Sequence, residues 1–303
     1  MRDASPSAAS RPLRRRTATL VAAATAVAGV AAVFVVAAPP SHSVAGPATG
    51  RATVWMRAAG APPTVIAHRG AASLAPENTL ISDEVARRGG AVWIENDVQP
   101  SKDGVPYVLH DTTVDRTTDG TGPIRSLTSA QIDALDAGSW FAPAYAGTRV
   151  PTLAAQLADL RERGGKLLLE VKGPHSLAEV ARIVREVRDQ DMTGRVFVQS
   201  FDVPSLRYVH QLAPKLPLGL LRGTLDPDPV ALARQLGLAA YNVSDTALGT
   251  RPELVRELHA AGVAVNVWTV DTPARWKALD ALGVDGLITN RPTQLAGWAS
   301  GRG

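Results

Sequence analysis

Eight short apolar runs recur along the chain: "TVIAH" (64–68), "VWIENDV" (92–98), "KLLLEV" (166–171), "RVFVQSF" (195–201), "PLGLL" (217–221), "AAYNV" (239–243), "VAVNVWTV" (263–270) and "GLIT" (286–289). Stretches of helical spacing separate most of them, such as "PENTLISDEVARR", "TLAAQLADLRER", "SLAEVARIVREVRD", "RPELVRELHAAG" and "PARWKALDALG". Strands joined by helical crossovers run parallel, and no Gly-rich phosphate fingerprint follows the first run, which argues against a doubly wound sheet. The pattern predicts an α/β fold, a (β/α)8 TIM barrel. One connection breaks the rhythm. In "IENDVQPSKDGVPYVLHD" too few residues separate Val98 from Val105 for a crossover, so the two arms form a hairpin turning at Asp103-Gly104. It opens an insertion after the second strand, about residues 111–150, with a helix expected at "LTSAQIDALD" and three aromatics, Trp140, Phe141 and Tyr145.

In such barrels the chemistry sits at the C-terminal strand ends. Polar residues gather there repeatedly: His68 and Arg69 after the first strand, Glu95 and Asp97 on the second, Glu170 and Lys172 on the third, Asn266 and Trp268 on the seventh. Residues two apart on a strand share a face, and the hairpin returns His110 and Asp111 to the rim that carries Glu95 and Asp97. Three acids at one mouth repel unless neutralised, and a divalent cation with hard oxygen ligands, Ca2+ or Mg2+, neutralises them directly. Ion pairing with Arg69 and Lys172 is the competing account of the same charges. A cation, a guanidinium and an ammonium around one cavity suit a phosphodiester, and Gly70 would let the backbone approach it. Of the six histidines, His42 lies in the leader region, His210 and His259 on helical patterns, and His175 in a loop. His68 and His110 alone arrive at the carboxylate rim beside a charged neighbour, as a base and an acid acting on one phosphorus would.

The net charge of +4 is concentrated at one end. Residues 1–45 hold five arginines and one aspartate, which leaves 27 basic and 27 acidic side chains in the rest of the 303 residues. A nucleic-acid partner loses its electrostatic support, and the composition gives no reason to expect more than a monomer. The basic start, the apolar run from Thr17 to Ala38 and small residues at Ser43 and Ala45 resemble a secretory signal. The run is also long enough to span a bilayer as an uncleaved N-terminal membrane anchor. Either reading places the catalytic part outside the cytoplasm, exported as a secreted or membrane-anchored protein. The Arg14–Arg16 cluster fits an ordinary basic leader better than a twin-arginine signal. Residues 46–63 read as a Gly/Ala/Pro linker and 64–303 as the barrel domain. No cysteine is present, which excludes disulfides, thiolate metal sites and a cysteine nucleophile.

Seven blocks in order, "AHRGAASLAPENT", "IENDVQPSKDGVPYVLHDTTVDRTTDGTG", "VPTLAAQL", "LLLEVKG", "VQSFD", "VNVWTVD" and "GVDGLITNRP", resemble the glycerophosphodiester phosphodiesterase family from about residue 64 to 295. The resemblance implies a (β/α)8 barrel that hydrolyses glycerophosphodiesters to an alcohol and glycerol 3-phosphate with one divalent cation. It implies that Glu95, Asp97 and Glu170 hold the cation, that His68 and His110 form the acid-base pair, and that Arg69 and Lys172 bind phosphate. Trp268 would face the glycerol, or else fill the barrel. Glu77 and Asn78 of "PENT" belong to the family pattern, but Pro76 and Glu77 also suit a helix start. Asn96, between the two acids, departs from the apolar residue expected there and should point outwards. A phospholipase D or lysophospholipase D of the same barrel, such as the sphingomyelinase D-like branch, is the alternative enzyme; the aromatic insertion would be a lid for a glycerol head group or a wall for an acyl chain. A non-catalytic cell-envelope binding module is the alternative from another class.

Overall fold

The computed structural model describes residues 55–301. In chain order the elements are β1 (Thr64–Ala67), α1 (Leu80–Arg88), β2 (Trp93–Pro100), β3 (Pro106–Val108), α2 (Ser129–Asp133), α3 (Leu153–Arg163), β4 (Lys166–Val171), α4 (Leu177–Asp189), β5 (Val196–Ser200) and α5 (Val203–Leu212). They continue with β6 (Leu218–Arg222), α6 (Pro229–Leu236), β7 (Ala240–Ser244), α7 (Asp245–Gly249), α8 (Leu254–Ala260), β8 (Ala264–Trp268), α9 (Pro273–Leu282), β9 (Gly286–Thr289) and α10 (Pro292–Ser300). Eight strands pair in parallel, and β1 bonds to both β9 and β2, which closes the barrel. All eight strands expected from the sequence are in it. β3 stands outside the ring, antiparallel on β2 with Val98 opposite Val108, and Gly104 takes the turn at φ 79°.

Strand alternation divides the side chains into two sets. Ile94 and Val98 of β2, Leu167, Leu169 and Val171 of β4, and Val196 and Val198 of β5 face the helices and join the main core. Leu168, Phe197, Ala240, Ala264 and Ile288 face inwards and fill the barrel's lower half. The helices supply the matching stripes. α4 begins with a Ser176/Glu179 capping box and buries Val180, Ile183, Val184 and Val187 on one face.

Two boundaries differ from the sequence reading. The stretch 46–63 is not all linker: Trp55 packs edge-on against Trp93 and Phe197 at 5.7 and 4.9 Å, and the Arg57 backbone N–H donates to Asp285. Ordered packing thus starts at least nine residues before β1, because a barrel's open lower end needs apolar cover. The insertion has its own core of Tyr107, Leu109, Val114, Ile124, Ile132, Ala137 and Val150, and the expected helix is the short α2. The leader, residues 1–45, lies outside the described residues. Among the described residues no helix is long and apolar enough to cross a membrane.

Candidate active site

Above the apolar filling the inward positions turn polar, one strand after another. Glu95 and Asp97 follow Trp93 on the inner face of β2, and Glu170 follows Leu168 on β4, where it is the cross-strand partner of Asp97. One oxygen from each of the three buried acids lies within 4.8 Å of the others. Lys172 Nζ stands 3.2 Å from Asp97 and 3.1 Å from Glu170, and Arg69 Nε faces Asp97 at 3.4 Å. The Arg69 backbone N–H donates to Glu95 at 3.0 Å.

This charge set is unbalanced without further positive charge. Burial, then the charges of Asp97 and Glu170, push Glu95 well above the usual carboxylate range. Burial and Asp97 push Glu170 up as well, against Lys172. Burial would lift Asp97 too, but Lys172, His110 and Arg69 outweigh it and hold its carboxyl far below that range. Glu170 Oε1 is buried and makes no aligned hydrogen bond even with Lys172 nearby. Three converging carboxylates with an unspent oxygen fit a hard divalent cation and could bind one.

The loop after β1 is shaped for this site. Arg69 and Asn78 hold left-handed φ angles of 56° and 57°, and the Asn78 backbone N–H donates to the Arg69 carbonyl at 3.0 Å. Such conformations cost of order 1–3 kcal/mol each and persist where surrounding contacts fix them. Here Asn78 Nδ2 donates to Asp97 at 3.0 Å, and Arg69 Nη1 donates to Glu77 at 2.8 Å. The N-cap of α1 is Thr79, so Glu77 lies ahead of the helix and serves the arginine rather than a helix start. Gly70 is also reassigned. At φ 80° a Cβ there would lie 2.8 Å from the Ser82 backbone, so its missing side chain admits α1 and not an anion.

The two histidines differ in what holds Nδ1. His68 Nδ1 lies 2.7 Å from Asn290 Oδ1, whereas His110 Nδ1 lies 2.7 Å from the Asp111 carboxylate. Burial, joined by the Arg69 charge, lowers His68 to about 4. Hydrogen bonds from Arg116 hold Asp111 at about 2, so a carboxylate backs His110 throughout the neutral range.

His68, Arg69, Glu95, Asp97, His110, Glu170, Lys172 and Trp268 line one cavity of about 240 Å³, completed mainly by Gln199, Phe201, Leu221 and Ile288. Phe201 meets Trp268 edge-on at 5.5 Å, giving the mouth one aromatic side opposite its charged one. A match to the Glycerophosphoryl diester phosphodiesterase family spans residues 68–294. The chain belongs to that family. The Caldanaerobacter subterraneus subsp. tengcongensis glycerophosphodiester phosphodiesterase is 37% identical over 235 residues, 76% of this chain and 95% of its own. The glycerophosphodiester phosphodiesterase structure from Agrobacterium tumefaciens matches with TM-score 0.69 and 33% identity, over 78% of this chain and 99% of its own. An Oleispira antarctica phosphodiesterase, solved with the product sn-glycerol-3-phosphate, matches with TM-score 0.74 and 29% identity, over 79% and 97%.

Other expectations about this phosphodiesterase are revised. Trp140, Phe141 and Tyr145 do not line the cavity; they meet one another edge-on at 5.6 and 5.5 Å, and Tyr145 Oη donates to the Leu74 carbonyl. His175 does lie in a loop as expected, buried beside Ser205 and outside the cavity lining. A ladder of amides went unread in the sequence. Asn266 Nδ2 donates to Asn242 at 2.9 Å, Asn242 Nδ2 to Gln199 at 2.7 Å, and Gln199 Nε2 to Glu95 at 3.2 Å. A Cβ on Gly219 would lie 2.8 Å from Asn242 Nδ2, so that glycine makes room for the ladder. Its signal was present, because each member is a lone polar residue at an inward position of an apolar strand.

Proposed function

We propose that the protein hydrolyses small glycerophosphodiesters to an alcohol and sn-glycerol 3-phosphate by acid-base catalysis between His68 and His110. The observation that carries this reading is the pairing of unlike histidines over one cluster of acids. His68, backed by a neutral amide and poor at holding a proton, suits the base. His110, whose Nδ1 is held by the Asp111 carboxylate, suits the acid. In the first step His68 Nε2 takes the proton of the glycerol 2-hydroxyl as that oxygen bonds to phosphorus. His110 gives its proton to the departing alcohol oxygen as the second P–O bond breaks. In the second step the water oxygen bonds to phosphorus as His110 takes the water proton, and His68 returns its proton to the 2-oxygen as the bond between that oxygen and phosphorus breaks. Arg69 and Lys172 supply positive charge where the phosphoryl oxygens gain negative charge. A divalent cation, Ca2+ or Mg2+, held by Glu95, Asp97 and Glu170 would supply Lewis-acid charge at the same oxygens.

The lining of the cavity favours a head-group diester over a lysophospholipid, since Trp140, Phe141 and Tyr145 of the insertion do not border it as an acyl-chain wall would. The test is release of glycerol 3-phosphate from glycerophosphocholine, with EDTA, after Ca2+ or Mg2+ is restored, and in His110→Ala. Metal-dependent activity at least about 100-fold lower in the variant is expected. Hydrolysis of lysophosphatidylcholine or sphingomyelin alone would favour the phospholipase D or lysophospholipase D alternative, and none on any diester the binding module. Export of a monomer belongs to the same proposal, and fractionation of cells with detection of the barrel outside the cytoplasm tests it.

A further inference from the structure

Asp271 and Asn290 stand behind His68 and do not line the cavity. Three donors converge on Asp271. Its Oδ1 accepts from Thr289 Oγ1–H at 2.9 Å and from the Asn290 backbone N–H at 2.8 Å, and its Oδ2 accepts from Asn290 Nδ2 at 2.7 Å. A carboxylate only accepts, so the Asn290 amide can lie one way round, with its nitrogen on Asp271 and its carbonyl oxygen on His68 Nδ1. That oxygen also only accepts, so the ring proton belongs on Nδ1.

We infer that Asp271 is a positioning residue that sets the tautomer of His68 through Asn290, holding the neutral ring as Nδ1–H and leaving the Nε2 lone pair for substrate. The inference rests on the reading of His68 as the first base. It differs from a Ser-His-Asp arrangement in placing a neutral amide between carboxylate and imidazole. The ring is thus oriented without a full negative charge directly against it. The carboxylate acts one residue away, on the amide.

The tautomer can be read directly from the ring nitrogens by NMR of the histidine-labelled full chain, with His68 assigned by its absence in His68→Gln. Wild type near neutral pH is expected to show Nδ1–H. Asp271→Asn is the same size but offers an NH2 group, which lets Asn290 turn its own NH2 towards the ring. Part or all of the ring should then move to Nε2–H. In the same variant kcat on glycerophosphocholine should fall roughly 10- to 100-fold with KM within about twofold. If that variant does not fold, Asn290→Ala cuts the same link, and a tautomer mixture is expected. A wild-type ring protonated on Nε2 overturns the inference, as does a folded Asp271→Asn or Asn290→Ala protein that keeps the ring wholly Nδ1–H. The spectrum needs no substrate, so failure of wild type to hydrolyse glycerophosphocholine counts against the proposed activity and not against the tautomer.

Discussion

Asn96 sits between two inward-facing acids and so must face out, into the layer between barrel and helices, where an apolar residue would be usual. It is fully buried there and donates to the Gln156 side chain of α3, and Gln156 donates in turn to Asp83 of α1 at 2.7 Å. Asp83 Oδ1 and Asn96 Oδ1 have no hydrogen-bond partner in this arrangement. A proton on Asp83, with the Gln156 and Asn96 amides both turned over, would give each link one donor and one acceptor: Asp83 O–H to Gln156 Oε1, and Gln156 Nε2–H to Asn96 Oδ1. Burial favours that proton and lifts Asp83 from 3.8 to about 7, against the Gln156 hydrogen bond. Because the folded value is the raised one, the contribution to stability is complete below about pH 4, shrinks as pH rises to about 7, and is then gone. Asp83→Asn has no charge to bury. Urea unfolding at about pH 5 and about pH 8 should show the variant gaining on wild type with pH, by on the order of 2 kcal/mol or more. Parallel stabilities at the two pH values would mean that Asp83 is ionised in the folded protein.

Helix α1 stands between the loop before it and the hairpin of β2 and β3, and a single guanidinium ties the loop to the residues that follow the hairpin. Arg116 Nε donates to Asp111 at 2.6 Å, while its Nη1 and Nη2 donate to Glu77 at 3.0 and 2.8 Å. Asp111 holds His110, and Glu77 holds Arg69, so Arg116 sets the spacing between the proposed acid and a proposed phosphate ligand. Its side chain is 45% exposed, so the ion pairs add little to stability, under about 1 kcal/mol. Their value is geometric, since a planar fork reaches two carboxylates in fixed directions and an ammonium does not. Arg116→Ala should lose roughly 10-fold or more in kcat while the denaturation midpoint hardly moves, and Arg116→Lys should recover little of it. Steady-state kinetics beside urea unfolding checks this. Unchanged kcat in Arg116→Ala would reduce the bridge to surface decoration.

At the scale of the whole molecule the barrel separates packing at its lower end from chemistry at its upper end, and the sequence showed the upper end better. Acids two apart interrupt apolar strands and the histidines follow strand ends beside charges, so their shared cavity could be foreseen from alternation and from the short hairpin turn. Asn290, Asp271 and Arg116 could not, because they act on other side chains across gaps in sequence, and a lone polar residue in a loop carries no period. Trp55 was hidden for a different reason: it lies in Gly/Ala/Pro-rich sequence, and only closure of the barrel gives it an apolar surface to cover. Its edge-on contacts with Trp93 and Phe197 cap the interior beneath Leu168, at the end opposite His68 and Glu170. Removing a half-buried indole there should cost on the order of 2–3 kcal/mol, less than a fully buried tryptophan, and lower Tm by roughly 4–10 °C for a domain of this size. It should leave kcat and KM unchanged at temperatures where the variant is folded, because the strand ends that carry the acids are fixed by their own ladder. Thermal unfolding and kinetics of Trp55→Ala together make the test. A kcat that falls with the lost stability would mean that the lower plug sets the register of the strands above it, and that the two ends are not independent.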